Sequence, residues 1–193
     1  MIFLLSIIRM ALKVLNRNKM RSALTMVGIV IGVGAVITMV SMGQGASGKI
    51  GSRIVRAEIG EYSSQAMTIL LASIAFVSLV VGGIGVTNMM LVSVTERTRE
   101  IGLRMAVGST AAYIRLQFLI EAVVLAAAGG ALGILCGSIA SKLISDSLGF
   151  PAHVSAFAAG VAFSFSGAIG ISAGWYPARK AAGLDPTKAL RYE

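Results

Sequence analysis

The stretch MTILLASIAFVSLVVGGIGVTNMMLVSVT, Met67 to Thr95, contains no Asp, Glu, Lys or Arg. A helix rises about 1.5 Å per residue and needs about 20 apolar residues to cross a hydrocarbon layer about 30 Å thick. This stretch is therefore long enough to span a bilayer. Working outward from it, Leu24 to Met42, Ala122 to Ser141 and the run from Ser147 to Ala178 are equally free of charge. Within the last run, Val154 to Tyr176 suffices to cross. The pattern predicts an all-α integral membrane protein, a single transmembrane domain over residues 1–193 with spans at 24–42, 67–94, 116–141 and 154–176.

Lys and Arg in short connecting segments resist translocation and set orientation. Arg9, Lys13, Arg17, Lys19 and Arg21 precede the first span, and Arg97, Arg99, Arg104 and Arg115 lie between the second and third. Arg179, Lys180, Lys188 and Arg191 follow the fourth, so of the 17 basic residues only Lys49, Arg53, Arg56 and Lys142 fall on the other side. Both termini are expected to be cytoplasmic, at an inner (plasma) membrane.

A composition of 56% hydrophobic and 13% charged residues is far from that of a soluble domain, where charged residues approach about 25%. The net charge of +9 does not point to nucleic acid, because the basic residues flank spans and are not interleaved with aromatics for base stacking. Anionic lipid headgroups and a cytoplasmic protein are the expected partners. Cys136 is the only cysteine, which excludes an internal disulfide, and its place in the third span suits a small buried apolar role. His153, the only histidine, sits in the outer connection 142–153 and cannot build a metal site alone. MIFLLSII at the start has its charges after the apolar run and no small-residue cleavage site follows, so removal as a signal peptide is not expected.

Arg9, Lys13, Arg17 and Arg21 recur every fourth residue, while Ile2, Leu5, Ile8, Leu12 and Leu15 fill much of the remaining circumference. Residues 1–21 thus suit an amphipathic helix in the membrane interface, its basic stems reaching headgroups; a cytoplasmic extension of the first span is the alternative. Gly28 with Gly32, and Gly133 with Gly137, form GxxxG pairs that mark helix-packing seams, either within the chain or between two copies. Polar residues within the spans are few, chiefly Thr38, Asn88, Glu121 and the serines of the fourth, and no hydrophilic transport path is visible. Glu121 is expected near the cytoplasmic rim, where it can pair with a basic residue or a backbone donor, a structural pairing being favoured over a proton-carrying role.

The most patterned segment is TERTREIGLRMAVGST, Thr95 to Thr110. Ser93 and Glu96 have capping-box spacing and Gly108 supplies a stop, predicting a helix over roughly 95–107. Glu96 with Arg99, or Glu100 with Arg104, can pair on its surface. Such a charged helix between two spans is either a solvated connector or a handle by which a soluble motor moves both. In the tail, Tyr176-Pro177 is expected to close the fourth span, and Asp185-Pro186 reads as a cap and first-turn proline for a last short helix.

At these residues the chain resembles an ABC transporter permease of the MacB/FtsX family. LNRNKMRSALTMVGIVIGVGAVI, Leu15 to Ile37, is similar to the family's amino-terminal signature, and NMMLVSVTERTREIGLRMAVGST, Asn88 to Thr110, to its second span and coupling helix. QFLIEAVVLAAAGGALG, Gln117 to Gly133, is similar to its third span, and WYPARKAAGLDPTKALRYE, Trp175 to Glu193, to its ending. The resemblance implies a permease that dimerises and binds two ATP-hydrolysing subunits, with ATP and Mg held by those subunits. It makes residues 95–110 the coupling helix, with Glu96, Arg97, Arg99, Glu100, Ile101 and Arg104 as contacts. It also implies transmission of motion to an extracytoplasmic part, and a periplasmic adaptor and outer-membrane channel as further partners.

Family members usually carry an extracytoplasmic domain of roughly 200 residues between the first two spans. Here only a glycine-rich linker over 43–66 stands in its place, read either as a core with the domain removed or as a minimal member. The chain also lacks a G-x-x-x-x-G-K-[ST] loop, so ATP hydrolysis is expected on another subunit and none on this chain. The leading function is the membrane subunit of an export or mechanotransmission complex. The alternatives are an FtsX-like scaffold that switches an extracytoplasmic enzyme, and a self-associating bundle without a motor.

Overall fold

The computed structural model describes residues 19–50, 57–148 and 155–190. The described chain is all helix: α1 (Lys19–Ile50), α2 (Ala57–Glu96), α3 (Thr98–Ala106), α4 (Ala111–Leu148), α5 (Ala156–Ala182) and α6 (Pro186–Leu190). Among these, 4 are long and apolar enough to cross a membrane, over Ser22–Ser41, Gln65–Glu96, Ala111–Ser147 and Ala156–Ala182. The basic segment 1–18, with Arg9, Lys13 and Arg17, lies outside the described residues, as does His153. Arg21 falls in α1.

The four long helices form a square in which α1 packs beside α2 and α4, and α5 beside α4 and α2. Lipid is as apolar as Leu, so burying apolar surface does not drive helices together there; close contact and interhelical polar bonds do. The seams are accordingly lined by residues with little or no side chain. A Cβ added at Gly28 would lie 2.8 Å from the Cα of Gly82, so α1 and α2 cross backbone against backbone. Gly32 faces Leu79 of α2, whereas Gly133 faces Val33 and Gly137 faces Gly34 and Ile37 of α1. All four glycines of the GxxxG pairs thus stand at seams within one chain.

The α4–α5 seam repeats the device at a period of four. Gly130 faces Ser166, Gly170 faces Ala126 and Gly174 faces Ala122. The Ser166 hydroxyl donates to the Ala126 carbonyl across it. Cys136 does not join a seam: it is exposed on the bundle surface, because the inward positions of its turn are taken by Gly133 and Gly137. The expected buried role is corrected on that point.

Helix bounds differ from the sequence expectation in three places. The connection expected as an irregular linker over 43–66 is helical up to Ile50 and again from Ala57. Each glycine costs a helix only about 1 kcal/mol, and an already nucleated helix gains a hydrogen bond with every added residue. The fourth helix does not close at Tyr176 but runs through Pro177 to Ala182. Proline removes the donor that would satisfy the carbonyl four residues earlier, at Ala173. That carbonyl accepts a hydrogen bond from the Thr87 hydroxyl of α2 at 2.9 Å, which lets the helix continue. Lastly, Ser93 is buried inside α2, which continues to Glu96, so the following helix starts at Thr98 rather than near 95.

Gly28→Ala must push α1 from the Gly82 backbone and is expected to cost about 1–3 kcal/mol, read as a lower unfolding midpoint in detergent. Gly167→Ala, where an added Cβ meets nothing within 4 Å, leaves the midpoint unchanged or slightly raised.

Candidate functional site

The charged helix α3 stands between the second and third spans as a separate element. At Arg97 the backbone leaves the helical path (φ −113°, ψ 15°) and its N–H bonds the Val94 carbonyl at 3.3 Å, a tightened turn that redirects the chain in one residue. The Thr98 hydroxyl donates to the Val94 and Thr95 carbonyls at 3.1 and 3.0 Å, covering acceptors the bend releases. The far end is a Schellman motif. Ser109 N–H bonds Arg104 O at 2.9 Å and Gly108 N–H bonds Met105 O at 3.0 Å, with Gly108 at φ 103°. The stop expected at Gly108 is in place, and α4 restarts with Thr110 Oγ1 accepting from Tyr113 N–H at 3.3 Å.

One ion pair and one hydrogen bond fasten α3 to the bundle. Arg97 Nη1 lies 3.5 Å from Glu121 Oε2, with side chains only 12% and 5% exposed. The carboxylate inside the third span therefore has a basic partner, one of the two kinds expected for it. Arg104 donates to Gln117 Oε1 at 3.0 Å and also pairs with Glu100 one turn back. Among the residues expected as partner contacts, Arg97 turns inward and Ile101 is 1% exposed, packed in the core. Arg99 and Glu100 lie on the open face, Arg104 on its flank, and Glu96 is exposed at the end of α2.

The open face also carries two apolar residues that the sequence reading did not single out, Leu103 at 55% and Val107 at 82% exposure. Their signal was present: they stand four apart on the charged side of an amphipathic helix whose buried side is Thr98, Ile101 and Gly102. Leu103 and Val107 both lie between the candidate spans Gln65–Glu96 and Ala111–Ser147, outside either.

The tail helix packs against α3. Asp185 caps α6, accepting from Thr187 N–H at 2.9 Å and the Thr187 hydroxyl at 2.7 Å, with Pro186 in the first helical position. Those bonds, the hydroxyl's foremost, hold the Asp185 carboxyl below its ordinary range. Ala189 is 2% exposed and meets Gly102 so closely that a Cβ there would come 2.5 Å from its own. The third and fourth spans, the connecting helix and the tail thus meet at one end of the bundle. Among the described residues no group of three or more His, Cys, Asp or Glu is placed to hold a metal ion.

Known proteins are similar to this chain over about two thirds of its length. The family profile described as FtsX-like permease C-terminal matches residues 72–186. The macrolide export ATP-binding/permease protein MacB of Bdellovibrio bacteriovorus is 56% identical over 131 residues, 68% of this chain and 20% of that protein. The protein of the same name from Syntrophobacter fumaroxidans is 55% identical over 127 residues, 66% of this chain and 18% of its own length. An uncharacterized ABC transporter permease of Bacillus subtilis, YknZ, is 51% identical over 141 residues, 72% of this chain and 35% of its own. The chain thus spans about a fifth of the MacB relatives and about a third of YknZ.

Two outcomes follow from the packing of this end. Arg97→Met or Glu121→Met alone strands a buried charge and is expected to cost about 3–5 kcal/mol, while the double variant costs less; chemical unfolding of the three proteins measures the difference. Gly102→Ala is expected to displace α6 from α3, with increased proteolysis after Gly183, and Ala189→Gly in the same chain is expected to restore the protected state.

Proposed function

Because the chain belongs to the FtsX-like ABC transporter permeases, we propose that it is the membrane-spanning part of a MacB-type complex, coupling ATP hydrolysis on a separate subunit to export or mechanical transmission across the inner membrane. The observation that carries this reading is α3: a short helix fastened to the bundle on one side by Arg97–Glu121, Ile101 and Gly102, and presenting Arg99, Glu100, Leu103 and Val107 on the other. A helix meant only to keep a loop in water has no use for exposed Leu and Val beside its charges. An ATPase surface with an apolar depression and a charged rim fits that face, with ATP and Mg bound on the ATPase side.

Rigidity supports the same reading. A push on α3 reaches α2 through the chain at Arg97, α4 through Arg97–Glu121 and Arg104–Gln117, and α5 through α6. The basic residues at this end, Arg99, Arg104, Arg115, Arg179, Lys180 and Lys188, favour the cytoplasmic side by the charge rule, with both termini there. A second permease copy completes the complex. The amino-terminal basic segment rests on anionic lipid, and an adaptor and outer-membrane channel join through extracytoplasmic parts, as the resemblance implies.

Arg99→Glu, on the open face and outside both the Arg104–Glu100 pair and the Arg104–Gln117 bond, is a charge reversal that inverts what a partner meets. It is expected to lower coupled ATP hydrolysis about tenfold, the equivalent of about 1.4 kcal/mol at the interface, with the unfolding midpoint nearly unchanged. Co-purification with an equal amount of an ATPase subunit, lost in this variant, supports the reading. ATPase association and coupling unaffected by the reversal remove α3 from it.

A further inference from the structure

At the end of the bundle that carries α3, the outer faces of α4 and α5 carry three side chains, Arg115, Trp175 and Arg179, of which the reading above uses only the charge. The Arg115 guanidinium of α4 lies over the Trp175 ring of α5, 5.9 Å from its centroid. Arg179 follows Trp175 by four residues, which puts it on the same side of α5 one turn nearer the helix end. All three are exposed, Trp175 by 51%, and Tyr176 beside them by 60%. We propose that Arg115, Trp175 and Arg179 form a binding site for the headgroup of an anionic phospholipid.

Charge is the first argument. Glu121 turns into the bundle toward Arg97, Glu100 pairs with Arg104, and Asp185 caps α6. Among the described residues no carboxylate forms an ion pair with Arg115 or Arg179, so an anion from outside the bundle can meet both guanidinium groups. Their planar forks match phosphate oxygens, and a guanidinium lying over a ring keeps its edge open to an acceptor.

Depth is the second. Arg115 is early in α4 and Arg179 late in α5, at matching ends of two candidate spans. Trp and Tyr favour the headgroup level, where an apolar ring face and a polar edge are both satisfied. A phosphate bonded to both arginines would lead its acyl chains along the lipid-facing side of α5, where Ile171 and Phe165 are exposed. A soluble anion would leave that surface unused, so the geometry favours a lipid.

The protein carries its own reporter, since Trp175 is the only tryptophan. The full chain is placed in bilayers of phosphatidylcholine containing a small fraction of brominated phosphatidylglycerol, or of brominated phosphatidylcholine, and quenching of Trp175 is measured. Brominated phosphatidylglycerol is expected to quench at about tenfold lower mole fraction than the brominated neutral lipid, and R115Q with R179Q to abolish the preference. R179Q alone changes an exposed residue and is expected to halve it at least, which covers any misfolding of the double variant. Lys142→Gln, near the other end of α4, leaves it intact. Equal quenching by the two lipids, or a preference that survives R115Q with R179Q, overturns the proposal, as does loss of the preference on adding inorganic phosphate. None of these readings depends on an ATPase, so failure here leaves the coupling function standing, and the converse holds.

Discussion

The approach of backbones at small residues is the constraint on which the rest of this structure depends. Where Gly28 meets Gly82 and Gly137 meets Gly34, no side chain separates the helices. In water a bundle of this size would hold together by hiding apolar surface. Here Ile31, Leu70, Phe76 and Leu135 stay on the outside, because lipid accepts them. What remains to bind the helices is contact area, which grows as helix axes come closer, and a few hydroxyl bonds between helices, such as Thr87 to the Ala173 carbonyl at 2.9 Å and Ser166 to the Ala126 carbonyl. Core side chains such as Ile29, Val33, Phe118 and Leu125 fill the space between seams whose spacing the glycines set.

That rigid square makes the small helices at one end mechanically meaningful. A nine-residue helix such as α3 is too short to hold its shape alone in water, where about 12–15 residues are marginal. It is kept by anchorage: a Schellman closure at Gly108, a buried ion pair at Arg97, Ile101 in the core and Ala189 against Gly102. The 5-residue α6 depends still more on its neighbour. Each holds its position through the other, and both through the spans.

Much of this was legible in the residues. Charge-free runs located all four spans, since length and apolarity alone set the condition for crossing. Gly108 announced its stop and Asp185-Pro186 its cap, because both depend on local backbone chemistry. Glu121 announced a need for a donor, basic or backbone, and Arg97 meets it. The remainder required the fold. Pro177 reads locally as a helix end, and only a hydroxyl from another helix lets the chain run on. Ser93 and Glu96 have the spacing of a cap, yet α2 had not finished, since Val94 beside them is core. The resemblance groups Ile101 and Arg97 with Arg99 and Glu100, but helical geometry sends the first two inward. The stripe Ser166, Gly170 and Gly174 went unnoticed because two of its partners are alanines, whose smallness carries meaning only once α4 is known to face α5.

Thr87 holds two helices of the bundle in register. Its hydroxyl has a single proton and two carbonyls in range, Gly83 of its own helix at 3.1 Å and Ala173 across the seam at 2.9 Å. If α2 and α5 slide past one another, the proton passes from one acceptor to the other, and no bond is left wholly unmade on the hydroxyl. The Ala173 carbonyl, which Pro177 deprives of its helical donor, then loses the replacement, so a slide costs a backbone bond in an apolar setting while the hydroxyl itself stays bonded. The joint is a catch: it keeps α2 and α5 in register and yields only at the expense of that carbonyl.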